Sequence, residues 1–306
     1  MKISFTISLL LASIALISQN FERQIFDRAD PFGYYLSIEP QSEDIRGVLV
    51  LLPGFGQPTE RVLPETKLHN VAYANGLLTV VVAGGPKLYV DETVRGRLNK
   101  AMTHVMKTFG VRRDQFVIGG FSAGGTISLR YAGMCYENPQ ENAIAPRAVF
   151  SVDGPVDLFE IWNYFERELE RDFSEAGTRE AAFVSNLMRE EIGSPEDNPT
   201  EYRRLTPFHA DAKEAGNEQF LRGISVRTYH DIDVVWQLEN RQRSLYESNA
   251  LPASEMINRL RRAGNERAEF VPAARPGVRS NGTRHPHSWS IVEEVELVLW
   301  VLGCLE

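Results

Sequence analysis

Residues 120–124 read Gly-Phe-Ser-Ala-Gly, and the apolar run Gln115–Gly119 leads into them. A helical pattern, Thr126-Ile127-Ser128-Leu129-Arg130-Tyr131-Ala132, follows at once. A serine at a sharp strand-to-helix corner, with glycine two positions to each side, has a use in covalent catalysis. The corner lifts the hydroxyl out of the sheet, and side chains at the two glycines would clash there. The helix N-terminus behind the serine favours developing negative charge. Ser122 is therefore the candidate nucleophile, and the Ala123 N–H a candidate oxyanion donor. A phosphate-binding loop would require Gly-Lys-Ser or Gly-Lys-Thr, which the segment lacks.

A serine hydroxyl needs a base, and the base needs an orienting acid. His285-Pro286-His287-Ser288-Trp289 supplies two histidines near the last helical pattern. His287 is preferred because it lies nearer that helix, with His285 as the alternate. Acid candidates follow the strand ending at Tyr229: Asp233 is preferred, because Val234-Val235-Trp236 comes after it, and Asp231 is the alternate. Asp153 also follows a strand, but Asp153-Gly154 reads as a turn. The second oxyanion donor is expected in Pro53-Gly54-Phe55-Gly56, where glycines on both sides let the Phe55 N–H approach a substrate oxygen. His69 and His104 fall in helical stretches and read as surface residues. His209 and His230 lie beside the expected pocket.

The elements that must position these residues alternate. Strands are expected at Phe32–Ile38, Gly47–Leu52, Leu77–Ala83, Arg147–Val152, Ile224–Tyr229 and Glu269–Val271. Helices are expected at Glu60–Ala74, Val94–Phe109, near Leu238–Glu247, and at Ile291–Leu302, the last opened by a capping box at Ser290–Glu293. Such alternation implies an α/β fold with a mostly parallel, doubly wound sheet. Residues about 155–222 interrupt it with amphipathic helices at Leu158–Leu169 and Glu180–Ile192, read as a helical lid insertion.

The chain has 306 residues and a net charge of −8, without a basic stripe, which argues against a nucleic-acid partner. Lys2 precedes an apolar run from Ile3 to Ile17. Residues 1–18 read as a secretory signal peptide ahead of a domain at 19–306, so the protein is expected to be exported, with no stable membrane span after cleavage. The only cysteines, Cys135 and Cys304, read as unpaired core thiols.

These motifs, in the order serine, acid, histidine, resemble the α/β-hydrolase superfamily over about residues 30–303. Many members carry His-Gly in the oxyanion loop; here Pro53 takes the histidine's place. Residues 198–207 are similar to a segment of esterases and prolyl-oligopeptidase-like hydrolases. The resemblance implies acyl transfer to water on a small acyl substrate, with no metal or organic cofactor required. Esters are the first expectation, and a serine peptidase or amidase the second. Two further readings stay open. One is a metal site from His285-x-His287 and Asp231-x-Asp233; the other is a secreted binding protein without turnover.

Overall fold

The structure is a computed structural model and describes residues 19–306. The expected signal peptide at 1–18 lies outside the described residues. An eight-stranded sheet runs in the order β1-β2-β4-β3-β5-β6-β7-β8. Its strands are β1 (Phe21–Ile25), β2 (Tyr34–Ile38), β3 (Gly47–Leu52), β4 (Leu77–Val82), β5 (Phe116–Phe121), β6 (Ala148–Val152), β7 (Ser225–His230) and β8 (Ala268–Pro272). From β4 across to β8 every pairing is parallel, while β1 and β2 form an antiparallel edge.

Both faces of the sheet are buried, and β3 shows how. Val48, Val50 and Leu52 point to one face, where they meet α2 (Glu92–Phe109), α3 (Ala123–Glu137) and α8 (Ala250–Arg262). Leu49 and Leu51 point to the other, against α1 (Leu68–Ala74) and α9 (Glu294–Leu305). This period of two on a continuous apolar run is what a strand covered by helices on both sides requires. The expected α/β, doubly wound architecture is therefore present. Between β6 and β7 the chain is helical: α4 (Leu158–Arg171), α5 (Glu175–Ile192) and α6 (Pro199–Leu205). α7 (Val234–Arg241) follows β7. No helix among the described residues is long and apolar enough to cross a membrane.

Several local expectations differ from the structure. The edge strand β1 lies outside the expected strands; its residues are mostly exposed, so no buried face marks them in the sequence. The expected helix at Glu60–Ala74 is a short 3-10 turn followed by α1 alone. The helix near Leu238–Glu247 ends at Arg241, and α8 follows it, with Ala253, Met256, Ile257 and Leu260 on its buried stripe. Ser290 does not cap the last helix: its hydroxyl donates to Val278 O at 2.7 Å, and Glu293 caps α9 through Glu296 N–H at 2.6 Å. Cys135 is buried and Cys304 half-buried, and both are free.

His69 is buried, not on the surface, with its ring edge against Phe21 at 5.9 Å. Burial, helped by the nearby Lys67 charge, lowers its pKa to about 4. A histidine held neutral in the fold binds its proton more readily when unfolded. Stability gained from the neutral fold is thus present above pH ~6.5 and lost as pH falls toward the folded value, at a rate of at most ~1.4 kcal/mol for each pH unit. Urea unfolding of His69→Phe is expected to show a shallower loss of stability than the parent across that window.

Candidate active site

Register across three neighbouring strands builds the site. Phe121 of β5 pairs with Val152 of β6, and Val152 pairs with Tyr229 of β7. The next residues are Ser122 and Asp153, just past the ends of β5 and β6, and His230, the last residue of β7. Parallel strands lie about 4.8 Å apart, so these three residues sit side by side at the C-terminal end of the sheet. The backbone fixes the arrangement: Ser122 N–H donates to Val152 O at 3.0 Å, and Asp153 N–H to Tyr229 O at 2.9 Å.

Ser122 sits at φ 54°, ψ −125°, a conformation that costs a side-chain-bearing residue roughly 1–3 kcal/mol. The flanking glycines make the corner possible. A Cβ on Gly120 would lie 2.4 Å from the Gly124 carbonyl carbon, and one on Gly124 would lie 2.2 Å from Leu52 O and 2.5 Å from Pro53 O. All of those atoms are backbone and cannot move aside cheaply. The same closeness seats the loop at Pro53–Gly56 directly against the corner. The N–H of Ala123, in the first turn of α3, has no intrahelical acceptor.

His287 Nδ1 lies 2.7 Å from Asp153 Oδ2. The ring packs on Phe121, with centroids 4.5 Å apart. Its backbone is held on both sides: the N–H meets His285 Nδ1 at 3.1 Å, and the carbonyl accepts from Arg279 at 3.2 Å. The other oxygen of Asp153 meets His230 Nδ1 at 2.8 Å. Burial pushes the Asp153 carboxyl up, but the hydrogen bonds from His230 and His287 outweigh it and hold the group below the ordinary carboxylate range.

The expected acids are engaged elsewhere. Asp233 is the N-cap of α7, where Oδ1 accepts from Trp236 N–H at 3.0 Å and Oδ2 from Arg284 at 2.8 Å. The apolar residues after Asp233 are thus the start of a helix it caps. Asp231 accepts from Gly277 N–H at 2.7 Å and pairs with Arg284 at 2.8 Å. Neither is bonded to a histidine, so Asp153, which reads as a turn in the sequence, is the carboxylate that meets His287. The turn reading holds in part, since Asp153 has a positive φ of 46°. His285, the alternate base, lies tilted against Trp236 with ring centroids 5.1 Å apart, and desolvation with the charges of Arg279, His287 and Arg241 lowers its pKa to about 3. Among the described residues no group of three or more His, Cys, Asp or Glu side chains is placed to share a metal ion.

Ser122, Asp153 and His287 line one cavity of about 300 Å3, together with Phe55. Its far walls come from α4, α5 and α7 and include Ile161, Tyr164, Val184 and Val234. The buried side of α4–α6, from Leu158 and Trp162 to Met188 and Tyr202, packs as a unit with Leu88, Tyr89 and Ala123. Of the aromatics in this segment, Trp162 and Phe165 are buried and Phe173 is exposed. A buried Glu168 receives Arg171 at 2.8 Å and Arg243 at 3.2 Å, which ties α4 to the loop after α7.

No protein-family profile matches the chain, and no curated protein matches it in sequence. Solved structures do match in shape. Mycobacterium tuberculosis MPT51 superposes with a TM-score of 0.60 at 12% identity, covering 94% of this chain and 100% of its own. A hyperthermophilic esterase from Pyrobaculum calidifontis gives 0.58 at 16% identity, covering 94% and 82%. A fluorophosphonate-binding serine hydrolase of Staphylococcus aureus gives 0.55 at 11% identity, covering 94% and 98%. With the strand order and the corner at Ser122, this likeness establishes that the chain has the α/β-hydrolase fold.

Proposed function

We propose that the protein is a serine hydrolase acting on carboxylic esters or related acyl compounds, with Ser122 as nucleophile, His287 as base and Asp153 as the orienting acid. The observation that carries the reading is the 2.7 Å contact of His287 Nδ1 with Asp153, opening on the cavity that Ser122 also lines. Asp153, an ionised acceptor, keeps the His287 proton on Nδ1 and leaves Nε2 free to take a proton.

The steps follow from that tautomer. His287 Nε2 accepts the Ser122 proton as Oγ bonds to the substrate carbonyl carbon. The carbonyl oxygen takes up the displaced electron pair, and the N–H groups of Phe55 and Ala123 bind it, each worth about 3 kcal/mol. The intermediate then collapses, the alkoxide leaves with the proton from His287, and an acyl-Ser122 ester remains. Water, deprotonated by His287, reverses the sequence and releases the acid. The helical segment α4–α6 acts as the lid that selects substrate. Its apolar wall residues Ile161 and Val184 suit an acyl chain.

Purified protein should hydrolyse 4-nitrophenyl esters of graded chain length faster than aminoacyl amides. Faster turnover of the amides would move the assignment to peptidase chemistry; no turnover of either, from protein that is folded, would favour a binding role. Export is likewise proposed, on the strength of Lys2 and the apolar run to Ile17. N-terminal sequencing of the mature protein from the native host should find that run removed.

A further inference from the structure

Asp153 serves two histidines, and the hydrolytic reaction uses one. We propose that His230 is a positioning residue that holds Asp153 and, by sharing its charge, sets the pH below which His287 stops working as a base; this rests on the hydrolase reading above. His230 is 1% exposed. Its Nδ1 meets Asp153 Oδ1 at 2.8 Å, and its ring stacks on Phe270 at 5.1 Å and 10°. Its Nε2 is buried with no partner among the described residues. That orphaned nitrogen fixes the protonation state. Nδ1 must carry a hydrogen because the carboxylate it faces only accepts, and a second proton on Nε2 would make the ring a buried cation whose donor has no acceptor, far costlier than a bare lone pair. His230 is therefore the neutral Nδ1–H tautomer and donates to the carboxylate.

The groups around the pair are few. His287 faces Asp153 directly, while His285 accepts from the His287 backbone N–H and Arg279 donates to the His287 carbonyl. Arg241 of α7 reaches His285 Nε2 at 2.9 Å. Asp231, next to His230, is occupied by Arg284. Among the described residues no carboxylate other than Asp153 lies within ion-pair distance of His230 or His287. One negative charge thus accepts from two imidazoles. A hydrogen bond to a carboxylate stabilises its charge and lowers its basicity, so the His230 bond weakens the hold of Asp153 on a protonated His287.

The test is the pH profile of kcat/KM for an activated ester. His230→Phe keeps a ring over Phe270 and removes the donor. Its acid limb should move to higher pH by about half a unit to one unit, because the unshared carboxylate now stabilises the imidazolium more strongly. His230→Asn places an amide N–H near the lost Nδ1–H and should restore the limb toward the parent. A Phe variant whose limb coincides with the parent, or an Asn variant displaced as far as the Phe variant, would overturn the inference. Ring-nitrogen NMR of the unmodified protein adds a check that needs neither variant to fold. His230 should appear as the Nδ1–H tautomer, and an Nε2–H tautomer would refute the role. Failure of the hydrolase reading itself looks different: the parent protein would show no Ser122-dependent turnover, while the NMR result would still report on His230.

Discussion

Replacing Asp153 with Asn should lower kcat by about four orders of magnitude while the protein stays folded, as loss of the acid does in serine triads generally. The amide has the carboxylate's shape, so the pocket between β6 and β7 keeps its packing. What changes is the proton. An Asn side chain facing two imidazoles can present its NH2 to His287 Nδ1, which then becomes the acceptor and leaves the proton on Nε2. The base is then blocked at the atom that must receive the Ser122 proton. The charge that would stabilise the imidazolium is gone as well. Asp233→Asn is the matched control. Its carboxylate caps α7 and binds Arg284, so the expected result is near-parental turnover and a stability loss of about 1 kcal/mol or less. Steady-state kinetics and urea unfolding of the two variants side by side decide the assignment. A large kinetic loss at Asp233 with little at Asp153 would reverse it.

Ser122→Gly should remove turnover to background, a loss of about a millionfold where a serine nucleophile acts with its base. The same change should leave the protein as stable as the parent or more so. Ser122 is held at φ 54°, ψ −125° by the hydrogen bond to Val152 O and by the bonds its own carbonyl accepts from Gly125 and Thr126. Glycine adopts that conformation without the steric cost of roughly 1–3 kcal/mol, against which stands an entropic penalty of about 0.5–1 kcal/mol. A structural serine would behave oppositely, with activity kept and stability changed. Thermal unfolding together with ester hydrolysis separates the two.

The strand-to-helix corner at Ser122 and the strand–helix alternation are legible because each is a local pattern. Two glycines around a serine, or a buried run flanked by turn residues, carry their reason within a few positions. Asp153 is different. Its partnership with His287 spans 134 positions and depends on β6 lying between β5 and β7 in register, a property of the sheet and not of any segment. The apolar residues after Asp233 make it the preferred acid in the sequence, yet those residues start the helix whose N–H groups it caps. The local pattern marks a helix cap, and the contact with His287 is made by Asp153. The same limit applies to His69, whose helical setting gives no hint that β1 and Phe21 cover it. His230 needed the register of three strands before its role could be seen.

A fluorophosphonate probe tests the central claim most directly, because it reports an activated serine without assuming a substrate. After reaction, intact-mass measurement and peptide mapping should show one adduct, on Ser122. The adduct should be absent in Ser122→Gly and form far more slowly in Asp153→Asn. An unlabelled parent protein, or an adduct on a different residue, would contradict the assignment of Ser122, His287 and Asp153 as the catalytic unit.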